Sequence, residues 1–369
     1  MKTSFSLEHQ DGLARAGTVT TARGTFTTPC FMPVGTRGAV KHLSSLDMEQ
    51  LGAQVILGNT YHLMLRPGAD VVEALGGLGR MADWHGHTLT DSGGYQVFSL
   101  EPKITDEGAV FKSVYDGSTH TLTPEGAVDT QIKIGADIQM VLDVCSALPS
   151  PDPVIREALD RTVLWADRAR QHFLAHPTAA EQQSQFGIVQ GGLDLAMRAE
   201  SAERTVALDF DGYAVGGLSV GEHRTEWHEP LLAATGNLPA DQPRYFMGLG
   251  DPAGIVDAVA RGIDMFDCVL PTRLARHGTL LTSAGRTNLT RAEYATSDEP
   301  IDPALPNSPV ARWSRGYLRH LLQVKEPTAA RLLTLHNLHW LLTFVDDMRT
   351  AIAEGRFDAF AAEVHEIWS

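Results

Sequence analysis

The chain has 369 residues, 43% hydrophobic and 20% charged, with a formal net charge of −15 and a pI near 5.4. This supplies a large globular core, and no apolar run approaches the ~20 residues that a membrane span needs, so no membrane partner is expected. Such acidity excludes indiscriminate nucleic-acid binding, which depends on neutralising phosphates, but leaves room for a local basic face. The cysteines Cys30, Cys145 and Cys268 stand far apart beside apolar stretches. They suit a reducing compartment and exclude a cysteine-rich metal site. The first residues, M-K-T-S-F-S-L-E-H-Q-D-G, lack the apolar core of a signal peptide, and a cytoplasmic protein is expected.

Residues 1–30 alternate polar and apolar with Gly and Thr, which predicts an antiparallel hairpin lying as a lid over one end of the fold. Eight short apolar runs follow: Cys30–Val34, Ala53–Leu57, His87–Thr90, Ile138–Leu142, Phe186–Val189, Tyr213–Val215, Tyr245–Met247 and Ile263–Phe266. Each ends in Gly, Asn, Asp or Gln, and amphipathic stretches such as Pro153–Leu174 and Leu195–Leu208 lie between them. Eight strands alternating with helices predict an α/β fold, an irregular (β/α)₈ TIM barrel. A doubly wound sheet is the alternative, but no G-x-G-x-x-G turn follows the first strand. Residues 98–123 read as a hairpin inserted after the third strand. The proline-rich stretch 284–312 reads as irregular, and 317–369 as largely helical. The expected division is 1–283 for the main part of the catalytic barrel, 284–336 for an insertion, and 337–369 for C-terminal helices packed on the barrel.

In such a barrel the chemistry sits at the C-terminal strand ends. Those ends carry Asp91 with Tyr95, Asp143 with Cys145, Gln190, Gly217, Met247 and Asp267. Glycines there let backbone groups approach a flat ligand, Asp143 and Gln190 can read a nucleobase edge, and Tyr95 can stack on its face. Asp91 and Asp267 can divide acid–base and nucleophile roles, as paired carboxylates do at an anomeric carbon. The eighth strand adds Arg273 and Arg276 just past Pro271, which suits an anionic substrate. The plainer reading is that Asp267 caps the next helix or pairs with Arg273. From Cys268 to Arg331 there are nine Lys/Arg against five Asp/Glu, so a polyanion would bind in this region.

The runs T-D-S-G-G-Y-Q-V-F-S-L, G-I-V-Q-G-G, Y-A-V-G-G-L-S-V-G-E and D-M-F-D-C-V-L-P-T-R resemble the tRNA-guanine transglycosylases, nearly end to end. The resemblance implies exchange of guanine at the anticodon wobble position of tRNA for a 7-deazaguanine, in queuosine biosynthesis. It implies Asp267 as nucleophile and Asp91 as general acid/base. Asp143, Gln190, the Gly217 amide, Tyr95, Met247, Cys145 and Val220 would bind the base, and Arg273 and Arg276 the RNA. Val220 matches bacterial members, and its bulk favours 7-aminomethyl-7-deazaguanine over larger queuine.

The family also carries a structural zinc site of three cysteines and a histidine. At those positions this chain has Leu305, Asn307, Val310 and His336. One histidine cannot hold zinc, so no cofactor is expected, and the homodimer that the family's zinc subdomain supports is expected to be weakened or altered. Leu274 and Ala275 replace smaller, more polar residues between the two arginines, and Val144 replaces an acid. Three competing readings follow: a non-catalytic tRNA-binding partner subunit, exchange on another nucleic acid or with another deazapurine, and a retaining glycosidase.

Overall fold

The computed structural model describes residues 3–368; the outermost residues of the expected first and third parts, 1–2 and 369, lie outside it. Strands β1 (Ser4–Asp11), β2 (Ala14–Thr20) and β3 (Thr25–Thr28) pair antiparallel in that order. The expected hairpin is therefore a three-stranded sheet. It is fastened beneath the barrel by Arg15, whose guanidinium donates to Asp264 at 3.0 and 2.5 Å and to the carbonyls of Ala240 and Gln242 at 2.8 and 2.9 Å. These acceptors lie at or before the starts of the last two barrel strands, so the sheet closes the end opposite the active mouth. Asp264 is fully buried, and Arg15 is the partner such a charge requires.

Barrel strands β4 (Cys30–Gly35), β5 (Val55–Gly58) and β6 (His87–Thr90) come next. A small antiparallel sheet interrupts them, made of β7 (Lys103–Ile104), β8 (Ala109–Lys112) and β9 (Thr119–Leu122). The barrel resumes with β10 (Ile138–Met140), β11 (Ser184–Val189), β12 (Gly212–Val215), β13 (Arg244–Phe246) and β14 (Met265–Cys268). These eight strands close in the order β10-β11-β12-β13-β14-β4-β5-β6, every pair parallel. Buried on both faces, they are near-continuous apolar runs, as parallel strands must be when helices cover them. The stretches read as amphipathic form the helices Asp152–Ala175 and Leu195–Val206.

Beyond the barrel, β15 (Thr279–Thr282) and β16 (Gly285–Asn288) form a tight hairpin, so a boundary at 283/284 cuts its turn. The boundary at 336/337 falls inside the 27-residue helix Pro327–Ala353. Residues 289–314, rich in proline, contain one short 3₁₀ turn, Ala292–Tyr294, and an antiparallel bridge between Pro300 and Ser314, with turns and irregular backbone between them. Side chains hold those turns in place. Asp302 accepts from the Ser283 amide and hydroxyl at 2.7 and 2.9 Å, and Arg315 donates to the Ile301 carbonyl. Val310, Leu289, Ile301, Leu318 and Leu333 pack into a separate small core beneath them.

Candidate active site

Strand β6 delivers Asp91 to the C-terminal mouth of the barrel. Its Oδ2 accepts from Asn59 Nδ2 at 2.5 Å, and its Oδ1 accepts from the Thr60 and Gly93 amides at 2.9 and 3.1 Å. Asn59 caps the helix Thr60–Leu63 through its own oxygen, which receives the His62 amide at 3.0 Å. The cap fixes which end of the Asn59 amide faces Asp91. Gly93 turns the chain at φ 77°, and a Cβ there would stand 3.0 Å from the Tyr61 nitrogen. Burial pushes the Asp91 pKa up to about 7, with the charge of Asp267 adding to the rise, against the opposing pull of the three N–H donors.

Asp267 occupies β14. Its Oδ1 accepts from the Tyr245 hydroxyl at 2.5 Å and from the Gly248 amide at 2.8 Å. The following helix, Leu270–Arg276, starts from Val269 without a side-chain cap. Asp267 therefore neither caps that helix nor pairs with Arg273, and the plainer structural reading fails. Among the described residues both bonds fall on Oδ1, which leaves Oδ2 for a reacting atom. Burial raises its pKa above the ordinary carboxylate range. Tyr245 had no signal in the sequence beyond its place in an apolar run.

The four consecutive strands β10 to β13 supply the rest of the slot. Gln190 Nε2 donates to Asp143 Oδ2 at 2.6 Å, tying the ends of β10 and β11 together. Burial pushes the Asp143 pKa up to about 6. Gly217 turns the chain at φ 66°, which favours glycine; a Cβ there would stand 2.2 Å from Gln190 Oε1, and one on Gly216 2.8 Å from Gln190 Nε2, so a side chain at either position would displace the Gln190 amide. Tyr95, in the helix Gly94–Phe98 after β6, is 64% exposed, and Met247, just after β13, is half-buried. Val220 is half-buried, and its amide donates to Glu222 at 3.0 Å. Cys145 lies against the Gly217 backbone; burial pushes its thiol up to about 12 and keeps it protonated.

Sequence reading missed Arg198. This fully buried guanidinium donates to the carbonyls of Gly192, Val189, Gly216 and Gly217 at 2.8, 3.1, 2.8 and 3.1 Å. It thereby fixes the peptide planes of the glycine turn from behind. Burial lowers its pKa to about 9, still charged at neutral pH. The signal was present: Arg198, Ser201, Ala202 and Thr205 follow the i, i+3, i+4, i+7 spacing of a buried helix face.

Arg273 and Arg276 share the exposed face of the helix Leu270–Arg276. Ala275 is buried in the small outer core and Leu274 packs half-buried on the barrel. The apolar bulk between the arginines thus points inward, away from any ligand. Asn337, also missed, holds this segment by donating to the Pro271 and Thr279 carbonyls at 3.0 Å each.

Three of the four positions that the resemblance assigns to zinc are occupied by other contacts. Val310 is fully buried among aliphatic side chains, and Leu305 packs half-buried against the core. His336 Nε2 donates to the Leu281 carbonyl at 2.9 Å, so Nδ1 accepts the Ser308 hydroxyl at 3.0 Å. Both ring nitrogens are used. Burial lowers the His336 pKa to about 4, consistent with a neutral ring locked in one tautomer.

A closed eight-stranded parallel barrel that gathers three carboxyl groups raised by burial, Asp91, Asp143 and Asp267, at the C-terminal ends of its strands has the layout of a barrel enzyme. Comparison with known proteins is more particular. The family model described as "Queuine tRNA-ribosyltransferase" matches residues 10–369. A protein of that name from Solidesulfovibrio magneticus is 50% identical over 367 residues, 99% of this chain and 98% of the relative. Another, from Herpetosiphon aurantiacus, is 48% identical over 97% of this chain and 90% of its own length. A third, from Desulfosudis oleivorans, is 50% identical over 95% and 91%. The chain belongs to the queuine tRNA-ribosyltransferase family, the tRNA-guanine transglycosylases.

Proposed function

We propose that this enzyme exchanges guanine at the anticodon wobble position of tRNA for a 7-deazaguanine, most readily 7-aminomethyl-7-deazaguanine, through a ribosyl ester of Asp267. The observation that carries the reading is the division of the mouth. Asp91 and Asp267 stand at the ends of β6 and β14, while the groups able to read a purine edge, Asp143, Gln190 and the Gly217 amide, follow β10, β11 and β12. Asp267 Oδ2 attacks the ribose anomeric carbon as the glycosidic bond to guanine breaks, and Asp91 protonates the departing base. The deazaguanine then enters the slot, gives a proton to Asp91 and displaces the ester, with net retention. Tyr95 and Met247 cover the two faces of the base, Cys145 and Val220 bound the pocket, and Arg273 and Arg276 hold the RNA strand. The setting for this chemistry is the cytoplasm, where tRNA is found.

Labelled guanine offered with unmodified tRNA should be incorporated, and excess 7-aminomethyl-7-deazaguanine should suppress that incorporation. Absence of exchange from a folded preparation would overturn the reading. The enzyme should also work without zinc, since Leu305, Asn307 and Val310 offer no thiolate; any homodimer then assembles without a metal-braced subdomain. Metal analysis of purified protein should give well under one zinc per chain. One tightly bound zinc per chain would contradict that assignment.

A further inference from the structure

Four side chains gathered around the segment that follows β5, whose start donates to Asp91, are unused by the chemistry above. Tyr115, at the tip of the β8–β9 hairpin, donates its hydroxyl to or accepts from His62 Nδ1 at 2.8 Å. The Arg66 guanidinium carbon lies 4.6 Å from the centre of the Tyr115 ring, and that of Arg37 lies 5.4 Å from it. Both arginines are exposed, and among the described residues neither pairs with a carboxylate. Burial and the nearby Arg37 charge lower the His62 pKa, which favours a neutral ring in the hydrogen bond to Tyr115. Two like charges are gathered at one ring in a chain of net charge −15, and a bound anion would relieve their mutual repulsion.

The barrel order makes these arginines part of an arc. Strands β14, β4 and β5 are neighbours. The helix after β14 carries Arg273 and Arg276, the loop after β4 carries Arg37 and Lys41, and the segment after β5 carries Arg66. His42 joins the two halves, for burial and the charges of both Lys41 and Arg276 lower its pKa. Basic side chains thus follow one side of the mouth from Asp267 toward Asp91, while the base-reading groups occupy the opposite side.

We infer that Arg37 and Arg66, spaced by Tyr115 and braced by His62, form a phosphate grip for the RNA strand next to the exchanged nucleotide. The inference rests on the tRNA-exchange reading and extends it: the strand is held at both ends of the arc, by Arg273 and Arg276 beyond Asp267 and by this pair beyond Asp91. Guanidinium groups suit the task because their fork matches two phosphate oxygens. Tyr115 is a positioning residue here, fixing the two planes without touching the reacting atoms.

The test measures binding of unmodified tRNA by fluorescence anisotropy across a salt series, together with exchange kinetics and guanine affinity. Arg37→Ala/Arg66→Ala should reduce the slope of log K against log salt by about 1.4, two single-strand phosphates' worth. It should raise KM for tRNA about tenfold or more, leaving kcat and guanine affinity near parental. Arg37→Lys/Arg66→Lys should restore the salt slope but only part of the affinity. Tyr115→Ala should weaken tRNA binding more than Tyr115→Phe. The control Lys103→Ala/Lys112→Ala removes two charges from the same inserted sheet and should leave the slope unchanged. An Arg37→Ala/Arg66→Ala variant with parental slope and KM would remove the grip while leaving the exchange reading intact. A parent that neither binds tRNA nor exchanges guanine would remove both.

Discussion

Asp267→Asn should give a folded barrel that still binds guanine but exchanges it more slowly by on the order of 10⁴-fold or more, the scale on which removal of a nucleophile acts. The asparagine oxygen can still accept from the Tyr245 hydroxyl and the Gly248 amide, so the strand end keeps its shape. What disappears is the anionic oxygen that forms the ester. Denaturing electrophoresis of enzyme mixed with tRNA and guanine should show a covalent RNA adduct for the parent and none for the variant. An adduct that persists would refute Asp267 as the nucleophile. The same variant should be more heat-stable than the parent at neutral pH. Burial raises the Asp267 pKa in the folded state, so the ionised carboxylate destabilises the native barrel above its unfolded pKa, and the neutral amide removes that cost. Lower activity with higher stability is the signature of a group kept for chemistry.

The barrel was legible because strands buried on both faces must be apolar and must stop where the chain reaches the mouth. His87–Thr90 matches β6 residue for residue for that reason. The last strand was read two residues early, as Ile263–Phe266, while β14 runs from Met265 to Cys268. The hydrophobic pattern, already broken once at Asp264, stops before Asp267, whereas the ladder to β4 continues through Asp267 and Cys268. The inserted sheet was read as a hairpin because Lys103–Ile104 is too short to show alternation. The strand-end side chains were visible individually, since glycine, amide and carboxylate there have no packing purpose. Their partners were not visible. Arg15 meets Asp264 across 249 positions, and Arg37, Arg66 and Tyr115 meet only after the barrel closes. Arg198 could pass for a surface residue until its helix face is known to be the buried one.

Asp91→Asn separates acid–base chemistry from folding more sharply, because its pKa of about 7 places the charge change within an accessible range. Exchange should fall by roughly 10²–10⁴-fold, the usual contribution of a positioned acid or base. In the parent, kcat/KM should decline above about pH 7 as Asp91 loses the proton it gives to guanine. That apparent value belongs to the Asp91–Asp267 pair, since each charge influences the other. Stability responds to pH through the same proton. A carboxyl whose folded pKa is raised binds its proton more tightly in the native state. Its stabilising contribution is complete below the unfolded value, ~3.9, and is lost as pH rises toward 7. Asp91→Asn cannot lose a proton, so thermal unfolding should separate the two proteins little at pH 4 and favour the variant at pH 8. A variant that is less stable at pH 8 would mean that Asn59, Thr60 and Gly93 hold an anion the fold requires. In that case the three donors outweigh burial, and Asp91 would stay ionised throughout the working range, a base with no proton to give the departing guanine.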